Sequence, residues 1–147
     1  MVHILRSTII AAPTDRVWSV LRDFNGHDQW HPVVTTSRIE RGYDSDRIGC
    51  VRRFRLRDGA ELREQLLALS DLEQAFSYCL VETPVPLLNY VAHVRLLPVT
   101  DGDRTFWQWE SRFDTPPGEE AALERMVRED VYEAGFTAIR AIVEGHA

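Results

Sequence analysis

Apolar and polar positions alternate with a period of two through the middle of the chain and take helical spacing near both ends. Residues 3–10 read as a strand, a β-branched run in which Leu5, Ser7 and Ile9 alternate with Ile4, Arg6, Thr8 and Ile10. Ala12-Pro13-Thr14-Asp15 then starts a helix, with Pro13 near the first turn, where a missing N–H does no harm. That helix carries Val17, Trp18, Val20 and Leu21 and stops near Asn25-Gly26; a short helical turn from His27 to Trp30 is ended by Pro32. Strands follow at 35–41 and 48–57, separated by the polar turn at 42–46. In the second of these Cys50, Phe54 and Leu56 point one way, and Arg53, Arg55 and Arg57 form a solvated face on the other; Arg52 shares the apolar phase. Asp58-Gly59 is a hairpin signal, and the strand after it, 60–69, places Leu62, Glu64, Leu66 and Ala68 on one face. Phe76, Tyr78, Leu80 and Glu82 share a phase in the next strand. A proline-marked loop at Pro84-Val85-Pro86 leads to residues 89–97, where Tyr90, Ala92, Val94 and Leu96 oppose Val91, His93, Arg95 and Leu97. After the turn at Asp101-Gly102, Gln108, Glu110 and Arg112 face out, so Trp107, Trp109, Ser111 and Phe113 face in.

From Gly118 to Glu144 no proline interrupts a helix that opens with Glu119-Glu120, acidic residues suited to a helix N-terminus. On a regular wheel Leu123, Val127, Val131, Ala134, Ala138, Ala141 and Ile142 make one apolar stripe, and Tyr132, Phe136, Ile139 and Val143 a second beside it. The first stripe is built of small residues and contains Gly135, which suits either close packing on a strand or the wall of a cavity. The order predicts an α+β helix-grip domain spanning 1–147. A twisted antiparallel sheet of about seven strands wraps round the C-terminal helix, with two short helices after the first strand. A sheet curved this far holds its helix away from its centre and tends to leave a cavity.

Composition narrows the function classes. A formal net charge of -6 argues against nucleic-acid binding, which rests on neutralising phosphates. Cys50 and Cys79 form neither a CxxC nor a disulfide framework, and the first residues lack a signal peptide's basic start and apolar run, so a cytoplasmic protein is expected. No run is long enough to span a membrane. His3, His27, His31, His93 and His146 are scattered and match no zinc spacing, and no phosphate loop, dinucleotide fingerprint or nucleophile elbow occurs. No metal or cofactor is therefore expected, and the chain is expected to be a monomer or a homodimer.

The candidate site is a wall of Phe54, Leu56, Tyr78, Leu80, Tyr90, Trp107, Trp109 and Phe113, with His31, Glu64 and Glu82 as its polar groups. Glu64 stands among apolar neighbours, so it needs a partner, water or a raised pKa; Arg52 across the hairpin is one such partner. His31 and Glu64 are candidates for general base and acid, for instance in removing a proton next to a carbonyl during ring closure. A surface position for His31 and a plain core role for the tryptophans are the alternatives.

Ala12-Pro13 with Val17-Trp18, Ile48-Gly49-Cys50-Val51-Arg52, Glu64 within Leu62-Arg63-Glu64-Gln65-Leu66, Leu88-Asn89-Tyr90 and Pro116-Pro117-Gly118 follow one another in an order and spacing that carry a resemblance over the whole chain. On these residues the chain resembles the START/Bet v 1-like (SRPBCC) superfamily, in particular bacterial polyketide cyclase/dehydrase-type proteins, and is distantly similar to the plant abscisic-acid receptors. The resemblance implies an internal pocket for a mostly apolar small molecule. By position it puts His31 where those receptors have the lysine that meets their ligand's carboxylate, and Glu64 and Tyr90 at polar ligand-holding positions. Phe54, Leu56, Tyr78, Leu80, Val127, Val131 and Gly135 fall on its pocket wall, and Trp109 stands where the receptors carry a glutamate. The hairpin at Asp58-Gly59 is too short for the receptors' gate loop and Val85-Pro86-Leu87 does not match their latch, so a hormone-switched phosphatase partner is not expected. Two functions follow: binding of a polyketide-like, aromatic or lipid molecule in the cavity, or cofactor-independent cyclase, dehydratase or isomerase chemistry with His31 and Glu64 as acid and base.

Overall fold

The structure, a computed structural model, describes residues 1–144; His146 and its two neighbours lie outside them. Seven strands form one antiparallel sheet in the order β1-β7-β6-β5-β4-β3-β2. They are β1 (Val2–Ile10), β2 (Val34–Ile39), β3 (Val51–Leu56), β4 (Glu61–Ser70), β5 (Ala75–Glu82), β6 (Leu88–Val99) and β7 (Arg104–Asp114). Helix α1 (Thr14–Leu21) and a 3-10 turn (Gly26–Gln29) cross from β1 to the opposite edge strand, β2. The concave face carries Phe54, Leu62, Leu66, Phe76, Tyr78, Tyr90, Val94, Trp107, Trp109 and Phe113, all buried, as the alternation predicts. The convex face of β3 and β4 is an ion-pair lattice. Arg53 and Arg63 both donate to Glu40, Arg53 also to Glu61, and Arg63 also to Glu82. These pairs hold the Glu40 carboxyl down to about 2.

Alternation fails where the backbone departs from the pleat. β2 ends at Ile39, earlier than the expected Arg41, because Arg41 takes a left-handed conformation (φ 61) within a 3-10 turn at Glu40–Gly42. The register of β4 against β5 shifts between Leu66 and Ala68, so Ala68 leaves the inner face and is exposed. A second shift sits opposite Arg63 and Glu64: Glu64 pairs with Leu80 but Arg63 with Glu82. The extra residue, Val81, puts Glu82 on the outer face, exposed and bonded to Arg63, and not in phase with Phe76, Tyr78 and Leu80.

The C-terminal helix is not regular. It begins as α2 (Glu120–Arg125), widens into a π-helical segment (Met126–Glu133) and ends as α3 (Ala134–Val143). The widening inserts one residue, so the buried series runs Leu123, Val127, Tyr132, Phe136, Ile139, Val143, with a step of five between Val127 and Tyr132. The expected small-residue stripe therefore breaks after Val131. Ala134 and Ala138 are half-buried, and Ala141 and Ile142 are exposed. After the break the helix grips β7 tightly. Tyr132 stacks on Trp109 with ring centroids 4.3 Å apart, Phe136 meets Trp107 edge-on at 4.6 Å, and Tyr132 and Tyr90 share a hydroxyl hydrogen bond of 2.6 Å.

Candidate functional site

Before the break, helix and sheet diverge around a cavity of about 550 Å³. The sheet contributes Phe54, Leu56, Leu62, Glu64, Phe76, Tyr78, Leu80, Tyr90, Val94, Trp107 and Trp109 to its lining, and the helix Leu123, Met126, Val127, Asp130 and Val131. The segment between α1 and β2 adds His27, Trp30, His31 and Val33, and β2 adds its first residue, Val34. Arg57 and Asp58 from the β3–β4 hairpin, Val85 and Leu87 from the β5–β6 loop, and Asp130 also line it; Arg57, Asp58 and Asp130 are exposed. The hairpin that reaches it is held by a left-handed Gly59 (φ 90) and by the Asp58 carboxylate, which accepts from the Ala60 N–H at 2.9 Å.

Three expected wall residues lie elsewhere. Glu82 is turned outward by the bulge opposite Glu64. Phe113 is buried against Tyr90, centroids 5.7 Å apart, and does not line the cavity. Gly135 sits past the break, against aromatic rings. A Cβ there would meet Trp109 Cζ3 at 2.9 Å, Trp30 Cζ3 at 3.3 Å and His31 Cδ2 at 3.4 Å. Its small size permits close packing; it is not part of the wall.

Arg52 and Glu64 form a buried pair at the cavity. Arg52 donates from Nε at 2.9 Å and from Nη2 at 2.6 Å, both to Glu64 Oε1, and from Nη1 to the Phe24 carbonyl at 2.8 Å. Its guanidinium lies 4.0 Å over the Phe24 ring and 5.1 Å from that of Tyr78, an aromatic setting that suits a flat cation. Burial pushes the Glu64 carboxyl up from its ordinary value, and the Arg52 charge pulls it back. Such a pair is expensive to break: removing one partner leaves an uncompensated buried charge, at about 3–5 kcal/mol.

His31 is held at both nitrogens. Nε2 lies 2.7 Å from the Val131 carbonyl, which can only accept, so the proton is on Nε2. Nδ1 then accepts from the Val33 N–H at 3.3 Å. Burial lowers its pKa, against the opposing effect of the Val131 bond. Val131 belongs to the π segment, and its carbonyl also receives the Ala134 N–H. His31 therefore ties the β2 approach to the widened turn of the helix and has no nitrogen free to take a proton. Tyr78, Tyr90 and Tyr132 keep their hydroxyl protons, since burial drives their pKa values well above the ordinary tyrosine range. Trp109 donates to the Tyr78 hydroxyl at 3.1 Å.

Sequence periodicity did not single out His27, Trp30 or Arg52 as site residues. Arg52 carried a signal, being the cation in the apolar phase of β3. His27 and Trp30 stand in a 3-10 turn and at its end, where no repeat reports which side chains face inward. His27 is buried edge-on to Phe54, centroids 4.6 Å apart, and burial, with help from Arg52, holds its pKa well below the ordinary value. Its two ring nitrogens, with the indole nitrogens of Trp30 and Trp107, have no hydrogen-bond partner among the described residues. No group of three or more His, Cys, Asp or Glu placed to hold a metal occurs among the described residues, and none of their helices is long and apolar enough to cross a membrane.

Comparisons with known proteins bear on the same architecture. A protein from Thermobifida fusca is 28% identical, with 97% of this chain and 93% of that one aligned at a TM-score of 0.85. A START superfamily protein from Mycobacterium smegmatis (16% identity, 99% of each chain, TM-score 0.81) shares the fold. So does the ZhuI aromatase/cyclase from Streptomyces sp. R1128 (20% identity, 97% and 93%, TM-score 0.79). A search of curated proteins gave no match. The sequence signature described as "Polyketide cyclase / dehydrase and lipid transport" fits residues 1–144, from the first strand through the helix that the sheet grips, and the chain belongs to that family.

Proposed function

We propose that the protein binds a small, mostly apolar molecule of polyketide-like, aromatic or lipid type in the cavity between its sheet and the first half of its C-terminal helix. The observation that carries this reading is the cavity itself: about 550 Å³, walled chiefly by aromatic and aliphatic side chains, with a few polar groups placed among them. The relatives' names, a START superfamily protein and an aromatase/cyclase, are compatible with it. Binding is favoured over acid–base catalysis by His31 and Glu64 because both nitrogens of His31 are committed to backbone partners and Glu64 is paired with Arg52.

Trp30, Trp107 and Trp109 line the cavity and report on it directly. Titration with a flat aromatic and with a medium-chain fatty acid, followed by tryptophan fluorescence, is expected to give a saturable one-site change for at least one of them. Leu62→Trp, which places an indole in the cavity, is expected to abolish that change with the far-ultraviolet circular dichroism intact. A folded protein that shows no saturable response to either class, and carries no small molecule in native mass spectrometry, would refute the reading.

A further inference from the structure

Only one oxygen of the buried Glu64 carboxylate is used inside the protein. Both hydrogen bonds from Arg52, at 2.9 Å from Nε and 2.6 Å from Nη2, end on Oε1. Oε2 accepts from no described residue, although only 9% of the side-chain surface remains exposed. Nor is Oε2 sealed in. The described side-chain atoms that lack both a partner and access to water belong to His27, Trp30, Trp107 and Ser111. Glu64 stands on the inner face of β4 and lines the cavity, so the surface that Oε2 keeps is cavity surface. A carboxylate oxygen accepts and cannot donate, and what this one lacks is a donor. Two hydrogen bonds from a guanidinium favour the ionised form of the acid, so the donor it suits best is a charged one.

We propose that Glu64 Oε2 is the recognition point for the ammonium group of an apolar amine, so that the cavity takes an aryl-alkyl ligand carrying one positive charge. This subsite rests on the binding reading above and fixes the charge of the ligand. The charges of the lining agree with it. Asp23, Asp58, Glu64 and Asp130 stand against Arg52 and Arg57, an excess of negative charge. Both cations are engaged, Arg52 with Glu64 and the Phe24 carbonyl, and Arg57 through Nε with the Pro32 carbonyl. Burial keeps His27 and His31 neutral. A cleft with apolar walls and one sign of charge in excess concentrates ligands of the opposite sign. Its walls suit an organic cation as well: the Tyr78 and Phe54 rings lie 5.1 and 5.6 Å from the Arg52 guanidinium, so the end of the cavity that holds the carboxylate is aromatic. A carboxylate ligand would find no free cation there.

The test compares three ligands of similar shape by isothermal titration calorimetry at neutral pH: 2-naphthylmethylamine, a cation; 2-naphthylmethanol, neutral; and 2-naphthoate, an anion. The wild type should bind the amine about tenfold more tightly than the alcohol, the size expected of a hydrogen bond to a charged group, and the naphthoate most weakly. Glu64→Gln keeps the shape of the side chain and removes its charge. The amine should then lose its preference, and the naphthoate, facing an unmatched Arg52, should gain about tenfold. An alcohol that binds as tightly as the amine, a naphthoate that binds best to the wild type, or an amine preference that survives Glu64→Gln overturns the subsite and leaves the apolar cavity standing. Failure of all three compounds to bind overturns the binding reading and the subsite with it. Should Glu64→Gln not fold, the carbon-13 carboxyl resonance of Glu64 in the wild type decides: the amine should move it further than the alcohol does, and equal shifts would refute the proposal.

Discussion

Gly135 and His27 show how single positions set the limits of this site. Gly135 lies where the helix touches the sheet most closely, and the ring that an added Cβ would strike, Trp109, is fixed between Tyr132 and Trp107. Alanine favours a helix interior over glycine by about 1 kcal/mol, whereas overpacking a fixed core contact costs about 1–3 kcal/mol. Gly135→Ala is therefore expected to melt a few degrees lower than wild type; a melting temperature at or above wild type would show that Trp109 can move aside. His27 and His31 make a second prediction. Both have folded pKa values below the ordinary one, through burial first. As pH falls through about 6.5 the unfolded chain takes up protons before the folded one, so stability is full above that pH and declines below it. The slope reaches up to about 1.4 kcal/mol per pH unit for each histidine. Glu64, pushed up by burial, acts in the opposite sense, so substitution is needed to isolate the histidine contribution. Urea melts between pH 7 and about 5 should show a shallower decline for His27→Phe than for wild type; parallel curves would place His27 in a solvated setting.

At the scale of elements, the strands were legible in the sequence because a half-buried sheet writes its two faces as alternation. The Arg52–Glu64 pair was legible for the same reason, as two charges in the apolar phase of adjacent strands. What escaped was each place where one residue is added to the count. Val81 turned Glu82 outward, the register shift near Ala68 carried that residue outward, and the π segment broke the small-residue stripe that a regular wheel draws through Val127, Val131 and Ala134. Periodicity locates an element but carries no mark for such an insertion. The π segment offers a direct test. Deleting the exposed Asp130 should let the helix close to a regular α-helix with Val127 and Tyr132 four apart, both still facing inward. Deleting the exposed Thr137 from α3 should instead rotate Ile139 and Val143 by about 100° out of the core, at roughly 3–6 kcal/mol for two buried aliphatic side chains. Chemical denaturation should therefore leave the first deletion close to wild type and strongly destabilise the second. Equal losses would mean that the widened turn is not an inserted residue in a helix that otherwise keeps its face.

Over the whole molecule, the helix is gripped at one end and held off the sheet at the other, which divides the interior into a packed half and an open half. In the packed half Trp107, Trp109, Tyr132 and Phe136 interlock; in the open half Leu62, Phe54, Val127 and Met126 face one another across the cavity. A bound apolar molecule would then complete the core, and binding and stability become one measurement. A ligand at one hundred times its Kd stabilises the folded state by about 2.7 kcal/mol, which for a chain of this size raises Tm by roughly 5–10 °C. Filling the same space covalently should exhaust that increment. Leu62→Trp, read by thermal melting, is expected to raise the ligand-free Tm by about 2–4 °C, since an added ring that finds apolar contacts contributes on the order of 1 kcal/mol. It should also reduce the shift produced by ligand to near zero. The two effects must move together, because they draw on the same surface. A Leu62→Trp protein that keeps the full ligand-induced shift would place the bound molecule outside this cavity, and one that loses both stability and shift would mean that the open half is too rigid to accept a ring of that size.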